Sequence, residues 1–253
     1  MTLVNVGCGT WFDPRWINLD GEATVAGVQR YDCRERLPFA DATVDAVYSS
    51  HLIEHLPPAV CRSFIHDAFR VLKPGGAIRL ATPDLEKLAF EYLKNFYLAC
   101  DGDLAARDRH EWLVIELFDQ FSRDKSGGVM LEYWKQNPMP SEEYVLERMG
   151  QEVKNFLTGF RSMTSDHVVS ESGPDVSNLQ GEPSEGLTFE RHRWLYDRLS
   201  LARLLAQAGF QEAEVCSHQS SRITNFEAYH LDSLEDGSIR KPDSFFMEGT
   251  KPE

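Results

Sequence analysis

Three groups of residues in this 253-residue chain could do chemistry. The first is Gly7-Cys8-Gly9, directly after the apolar run Leu3-Val4-Asn5-Val6, where glycines let backbone approach a ligand that a side chain would obstruct. Asp20 closes the next short apolar segment, Trp16 to Leu19, and Asp32, followed by Cys33, closes Val28 to Tyr31. Two segments ending in carboxylates are what a nucleoside-binding edge would look like. The second group is histidine. His51 stands just past the alternating segment Val44 to Ser50, His192 precedes the last large helix, and a near-neutral imidazole is a natural general base. His55 lies one helical turn from His51, and Glu54 could orient either neighbour. The third group is Glu116, Asp119, Gln120 and Arg123, spaced three or four apart on one helical face beside Trp112. Such a stripe suits a carbohydrate, which has hydroxyls around its rim and an apolar face for stacking. Arg123, before Gly127-Gly128, could also hold a carboxylate or phosphate.

Each group has a bland counterpart: paired glycines make tight turns, histidines cap helices, and polar stripes are solvated faces. The elements that position them help to discriminate. Leu3–Val6, Trp16–Leu19, Val28–Tyr31, Val44–Ser50 and Ala77–Thr82 read as strands. A helix is expected from about Pro58 to Leu72, with Val60, Phe64, Ala68, Val71 and Leu72 on one face. Lys73-Pro74-Gly75-Gly76 ends it. Alternation of this kind predicts an α/β, doubly wound, mostly parallel sheet with ligands at the carboxyl ends of its strands. From Glu86 to about Arg191 the strand signal stops, and helices are expected over Leu88–Cys100, Glu111–Arg123 and Glu142–Thr158. This predicts a helical insertion at 86–190 with a flexible loop near 165–187. The pattern returns with a helix around Leu201–Ala208 and strands at Glu212–Ser217 and Ser244–Gly249.

Composition narrows the function classes. A hydrophobic share of 42% with 26% charged residues excludes disorder as the main state. A net charge of -14 disfavours phosphate backbones and anionic membrane surfaces, so no nucleic-acid partner is expected. The sequence has no apolar run of membrane-spanning length and no basic leader, which predicts a cytoplasmic protein without integral membrane contact. The five cysteines are scattered without a C-x-x-C pair, against a disulfide framework or structural zinc. Without an H-x-H or D-D cluster, no catalytic metal is expected. A nicotinamide fingerprint needs a third glycine opening a full helix, whereas only Thr10 to Arg15 separate Gly9 from Trp16. So short a connection cannot hold an ordinary crossover helix, which suits a cofactor with no phosphate.

Val4-Asn5-Val6-Gly7-Cys8-Gly9, Ile17-Asn18-Leu19-Asp20, Leu37-Pro38-Phe39-x-Asp41-x-x-Val44-Asp45, His51-Leu52-Ile53-Glu54-His55-Leu56 and Arg70-Val71-Leu72-Lys73-Pro74-Gly75-Gly76 resemble the motifs of class I S-adenosylmethionine-dependent methyltransferases. Farther on, His192-Arg193-Trp194-x-Tyr196-Asp197 and Lys241 to Gly249 look like a bacterial subgroup often found beside glycosyltransferases. The resemblance implies a seven-stranded Rossmann-like methyltransferase sheet, with residues 1–85 and 191–253 as the cofactor-binding core and 86–190 as a substrate-binding lid. It implies S-adenosyl-L-methionine as cofactor, with Gly7 and Gly9 bordering its methionine part and Asn5, Cys8, Ser49 and Ser50 also among the cofactor-binding residues. Asp20 would accept from both ribose hydroxyls, as a carboxylate can, and Asp32 and Cys33 would lie near the adenine.

The reaction this implies is O-methylation of a sugar or glycoside hydroxyl, by in-line displacement, in surface polysaccharide biosynthesis. His51 or His192 would be the base, and Trp112, Glu116, Asp119, Gln120, Arg123 and Trp194 would meet the small-molecule or glycan acceptor. A homodimer is compatible with this reading. Its rivals are methylation at oxygen or nitrogen of an aromatic or polyketide metabolite, and a non-catalytic regulatory subunit that binds the cofactor. Two departures from the family stand out: the first crossover helix is missing, and almost no chain precedes the first strand. Something else must then close the site, and the insertion is the expected candidate.

Overall fold

The structure, a computed structural model, describes residues 1–164 and 190–253; the expected loop at 165–187 lies outside the described residues. These residues form two compact units: Met1–Asp84 with Arg193–Arg240 and Ser244–Glu253, and Leu85–His192 with Lys241–Asp243.

The first unit is built on a seven-stranded sheet in the order β3-β2-β1-β4-β5-β7-β6. Its strands are β1 Leu3–Val6, β2 Ile17–Asp20, β3 Val28–Arg30, β4 Val44–Ser50, β5 Leu72–Pro83, β6 Gln211–Cys216 and β7 Ser244–Thr250. β1 to β5 pair in parallel, and β7 runs antiparallel to both β5 and β6. This is an α/β, doubly wound, mostly parallel Rossmann-like sheet, as the sequence predicts. All of β1 is buried, as expected of a central parallel strand covered on both faces. The strand order reverses between β1 and β4, the switch point at which open α/β sheets bind ligands. Register does the rest: Val6 pairs with Leu19 on one side and Ser49 on the other. Gly7, Asp20 and Ser50 therefore leave the sheet at one level.

Helix α1, Pro58–Val71, buries Cys61, Phe64, Ile65, Ala68 and Val71 against the sheet, close to the expected face. β5 begins earlier than expected. Gly75 takes a positive φ of 74° and donates to the Lys251 carbonyl, while the Lys251 N–H donates to Gly76, so the glycine turn is drawn into the strand ladder. Helix α7, Arg198–Ala208, opens with an Asp197–Ser200 capping box and ends at left-handed Gly209.

The missing crossover helix has a substitute in the connection between β6 and β7. Trp16 and Tyr48, on the sheet face that such a helix would cover, pack with Ile223, Phe226 and Leu231 of that connection. A buried arginine bolts it down. Arg79 of β5 donates to Asp232, Glu248 and the carbonyls of Ser217 and Ser220, at 2.7–2.9 Å. A sheet face left bare would expose apolar side chains, so its cover must come from somewhere.

The second unit is helical among its described residues: α2 Leu85–Cys100, α3 Leu104–Ser122, α4 Gly128–Trp134, α5 Glu142–Met149 and α6 Gln151–Thr164. Its core includes Leu88, Trp112, Leu113, Tyr133, Val145 and Val153. The expected helix over Glu142–Thr158 is two helices, broken where Gly150 takes a φ of 63°. α4 was not expected because Gly127-Gly128 reads as a breaker. Both glycines are left-handed here, and the Asp119 carboxylate accepts from the Val129 N–H at 2.6 Å to start the helix. A Cβ on Gly128 would meet the Asp119 carboxylate within 2.5 Å. Gly128→Ala should therefore cost about 2–3 kcal/mol, from left-handed strain plus the disturbed carboxylate contacts. Urea unfolding checks this, and an unchanged midpoint would refute it.

Candidate active site

The glycine loop is a compact turn pinned to β2. Gly7 and Cys8 both donate to the Leu19 carbonyl, and Gly9 donates to an Asp20 carboxylate oxygen at 2.8 Å. The other Asp20 oxygen accepts from the Glu22 N–H at 2.9 Å. Gly7 has φ +72°, and a Cβ there would press Leu52 at 3.0 Å. Gly9 has φ +54° and nothing within 4 Å of where a Cβ would stand, so bare backbone borders open space beside a carboxylate. No helix follows the loop before β2. This donor set fits an adenosine-linked amino acid without phosphate, which needs a diol acceptor and a close backbone approach but no helix N-terminus.

Burial favours the protonated form of the thiols nearby. Burial, and then the Asp20 charge, pushes Cys8 up to about 11; burial, and then Asp32, does the same for Cys33. Arg34 grips Asp32 and holds its carboxyl below the usual range. Cys33 lines a cleft of about 390 Å³ with Ser63, His66, Asp67 and Arg70 of α1.

Two expected cofactor residues serve the scaffold instead. The Asn5 amide is buried in β1 and donates to Asn18 at 3.1 Å, and the Ser49 hydroxyl donates to the Val6 carbonyl at 2.9 Å. Both side chains are thus engaged within the sheet, with Asn5 reaching a residue of β2 and Ser49 the backbone of β1. The Ser50 hydroxyl accepts from Arg240 at 3.1 Å.

Past the end of β4 the chain turns sharply at His51, with φ 51°. A non-glycine residue there is uncommon and costs backbone strain, which proteins retain mainly at functional sites. His51 Nδ1 lies 3.3 Å from Glu54 Oε1, and Nε2 lies 2.6 Å from Ser244 Oγ. Glu54 is 0% exposed. Its other oxygen accepts from Thr82, and its carbonyl accepts from the Arg193 and Trp194 N–H groups. His51 thus has Nδ1 facing a buried carboxyl group and Nε2 facing the Ser244 hydroxyl. Glu54 was legible beside two histidines. Ser244 carried no signal, because the antiparallel β7 alone brings it to the end of β5, where it pairs with Pro83.

The other expected residues lie in or near the second unit's own packing. His192 is buried, donating from its backbone to the Gln120 carbonyl, with its ring edge-on to Phe121. Trp112 is 0% exposed and packs on Tyr133 and Trp134, so it has no face for a sugar. Glu116 pairs with Arg148, and Asp119 with Arg123, in both cases largely buried. The polar stripe is thus an internal brace: its side chains find ionic partners on α5 and at the end of α3, which spacing along α3 does not reveal. Gln120 is half-buried. Trp194, in the first unit, is 50% exposed and keeps an open aromatic face.

Parts of this chain are similar to known methyltransferases. A model of a methyltransferase domain matches residues 18–80. A Mycolicibacterium smegmatis protein named "Probable S-adenosylmethionine-dependent methyltransferase" is 37% identical over 99 residues, 32% of this chain and 38% of the relative. The match thus spans well under half of that relative's length. Among solved structures, an Archaeoglobus fulgidus SAM-dependent methyltransferase aligns over 99% of this chain and 86% of its own, at 12% identity and TM-score 0.44. One from Thermotoga maritima aligns over 99% and 82%, at 13% identity and TM-score 0.43. No helix among the described residues is long and apolar enough to cross a membrane. Residues 18–80, which run from β2 through β4 into β5, thus match a methyltransferase domain.

Proposed function

We propose that the chain transfers the methyl group of S-adenosylmethionine to a hydroxyl of a sugar or glycoside, with His51 taking the hydroxyl proton. The observation that carries this reading is the His51–Glu54 pair at the switch point, since a hydroxyl acceptor must lose a proton and a carboxylate-oriented imidazole is suited to accept it. The sugar class is supported by the sequence resemblance of residues 192–197 and 241–249 and by the open face of Trp194, whose backbone is tied to Glu54.

When bound, the cofactor supplies an electrophilic methyl on a sulfonium, which departs as a neutral thioether. The glycine loop and Asp20 hold and orient it for in-line attack. The acceptor hydroxyl takes the place of Ser244 at His51 Nε2, and its proton passes to that nitrogen. The buried Glu54 carboxylate then stabilises the imidazolium through Nδ1–H, and solvent reclaims the proton after product leaves.

Calorimetric titration with S-adenosylmethionine tests the first step. The native chain should bind, and Asp20→Ala should weaken binding by about 100-fold, through lost charge-assisted hydrogen bonds to the ribose and a loosened Gly9. Transfer of a labelled methyl to a panel of glycosides and amines tests the second. A methyl ether on a glycoside is the expected product; label on amines alone would overturn the acceptor class, and no binding by the native chain would overturn the whole reading.

A further inference from the structure

The amino-acid end of S-adenosylmethionine carries a carboxylate, and a chain of net charge -14 must place a cation there deliberately. The loop after Gly9 lacks a helix whose N-terminus could serve. Two arginines of the first unit reach this loop. Arg15 is committed, with Nε and Nη2 on the two Asp13 oxygens at 2.8 and 2.7 Å.

Arg240 is different. Its Nε donates to the Leu231 carbonyl at 2.8 Å, its Nη2 donates to Ser50 Oγ at 3.1 Å, and its guanidinium lies 5.4 Å from the centre of the Trp11 ring. All three partners are neutral, and among the described residues no carboxylate lies within ion-pair distance of it. Trp11 is itself held, donating from its indole to the His230 carbonyl at 2.9 Å. Register places Ser50 level with Gly7, because Ser49 pairs with Val6, and Trp11 stands two residues past Gly9. The guanidinium is thus bracketed by both sides of the switch point. A half-buried arginine with only neutral partners loses hydration without a counter-charge, and a ligand carboxylate would supply one in bidentate fashion.

We infer that Arg240 binds the carboxylate of the cofactor's methionine moiety, an inference that rests on the cofactor assignment above. It takes over a task that no helix after the glycine loop performs here. The end of β4 and the connection before β7 together present it, so the cover of the bare sheet face also completes the cofactor site.

The test is titration of native and Arg240→Ala protein with S-adenosylmethionine and with its decarboxylated form, which keeps the adenosine, sulfonium and amine. Native protein should bind the decarboxylated form about 10- to 100-fold more weakly. Arg240→Ala should lower S-adenosylmethionine affinity to that level and leave the decarboxylated form unchanged, which also shows that the adenosine site is intact. Arg240→Lys should recover part of the difference. Equal loss for both ligands in Arg240→Ala, or no loss for either, overturns the role of Arg240 while the native titrations still stand. Failure of the native protein to bind either ligand overturns the cofactor reading itself.

Discussion

Replacing His51 by asparagine should slow methyl transfer by about 10²- to 10⁴-fold, the usual contribution of a positioned general base. Asparagine is the informative replacement. It tolerates the left-handed backbone that His51 adopts at φ 51°, so the turn after β4 keeps its course while the proton acceptor is lost. S-adenosylmethionine affinity should stay within about threefold, a difference of well under 1.4 kcal/mol. Glu54→Gln should give a milder loss of turnover, because a neutral amide orients the ring but does not stabilise the imidazolium. Single-turnover kinetics with saturating cofactor separates these effects from binding. Native turnover in His51→Asn protein would remove His51 from the chemistry.

The largest loss of stability is expected at Arg79. Its side chain is 0% exposed, donates to Asp232 and Glu248, and lies 4.3 Å from the centre of the Phe226 ring. Asp232 also accepts from the Tyr48 hydroxyl, and Glu248 from the Ser221 hydroxyl and the Arg222 N–H. Arg79→Met leaves two carboxylates facing each other in a buried site. Removal of one partner from such a cluster costs about 3–5 kcal/mol. Denaturant unfolding should show that loss, and adding Asp232→Asn and Glu248→Gln to Arg79→Met should recover part of it, because neutral amides can be buried at lower cost. Cofactor binding should weaken as well, since the segment that Arg79 anchors carries Arg240. If Arg79→Met protein were as stable as native protein, apolar packing alone would hold the connection in place.

Much of the sheet was legible because its signals are local. Val44–Ser50 reads as a strand, although it is buried on both faces rather than alternating; α1 has one apolar face, and Gly209 stops α7 by chemistry that needs no tertiary partner. The glycine loop and Asp20 could be read as a pair for the same reason: each ends a recognisable strand, and parallel strands in register must bring their ends together. The insertion was less legible. A stripe of Glu116, Asp119 and Arg123 looks alike whether it faces water or a partner helix, and burial of Trp112 depends on residues of α4 that are distant along the chain. Gly127-Gly128 reads as a break until Asp119 supplies the missing cap.

By itself the sequence determined the α/β sheet and the strand ends that meet at its switch point, because these follow from periodicity and glycine freedom. Only the tertiary structure decided which distant groups meet at those strand ends. Ser244 meets His51 through an antiparallel strand 193 residues away, and Arg240 meets Ser50 across 190 residues. No spacing rule reaches that far, since such contacts are set by which segment covers an otherwise bare face of the sheet.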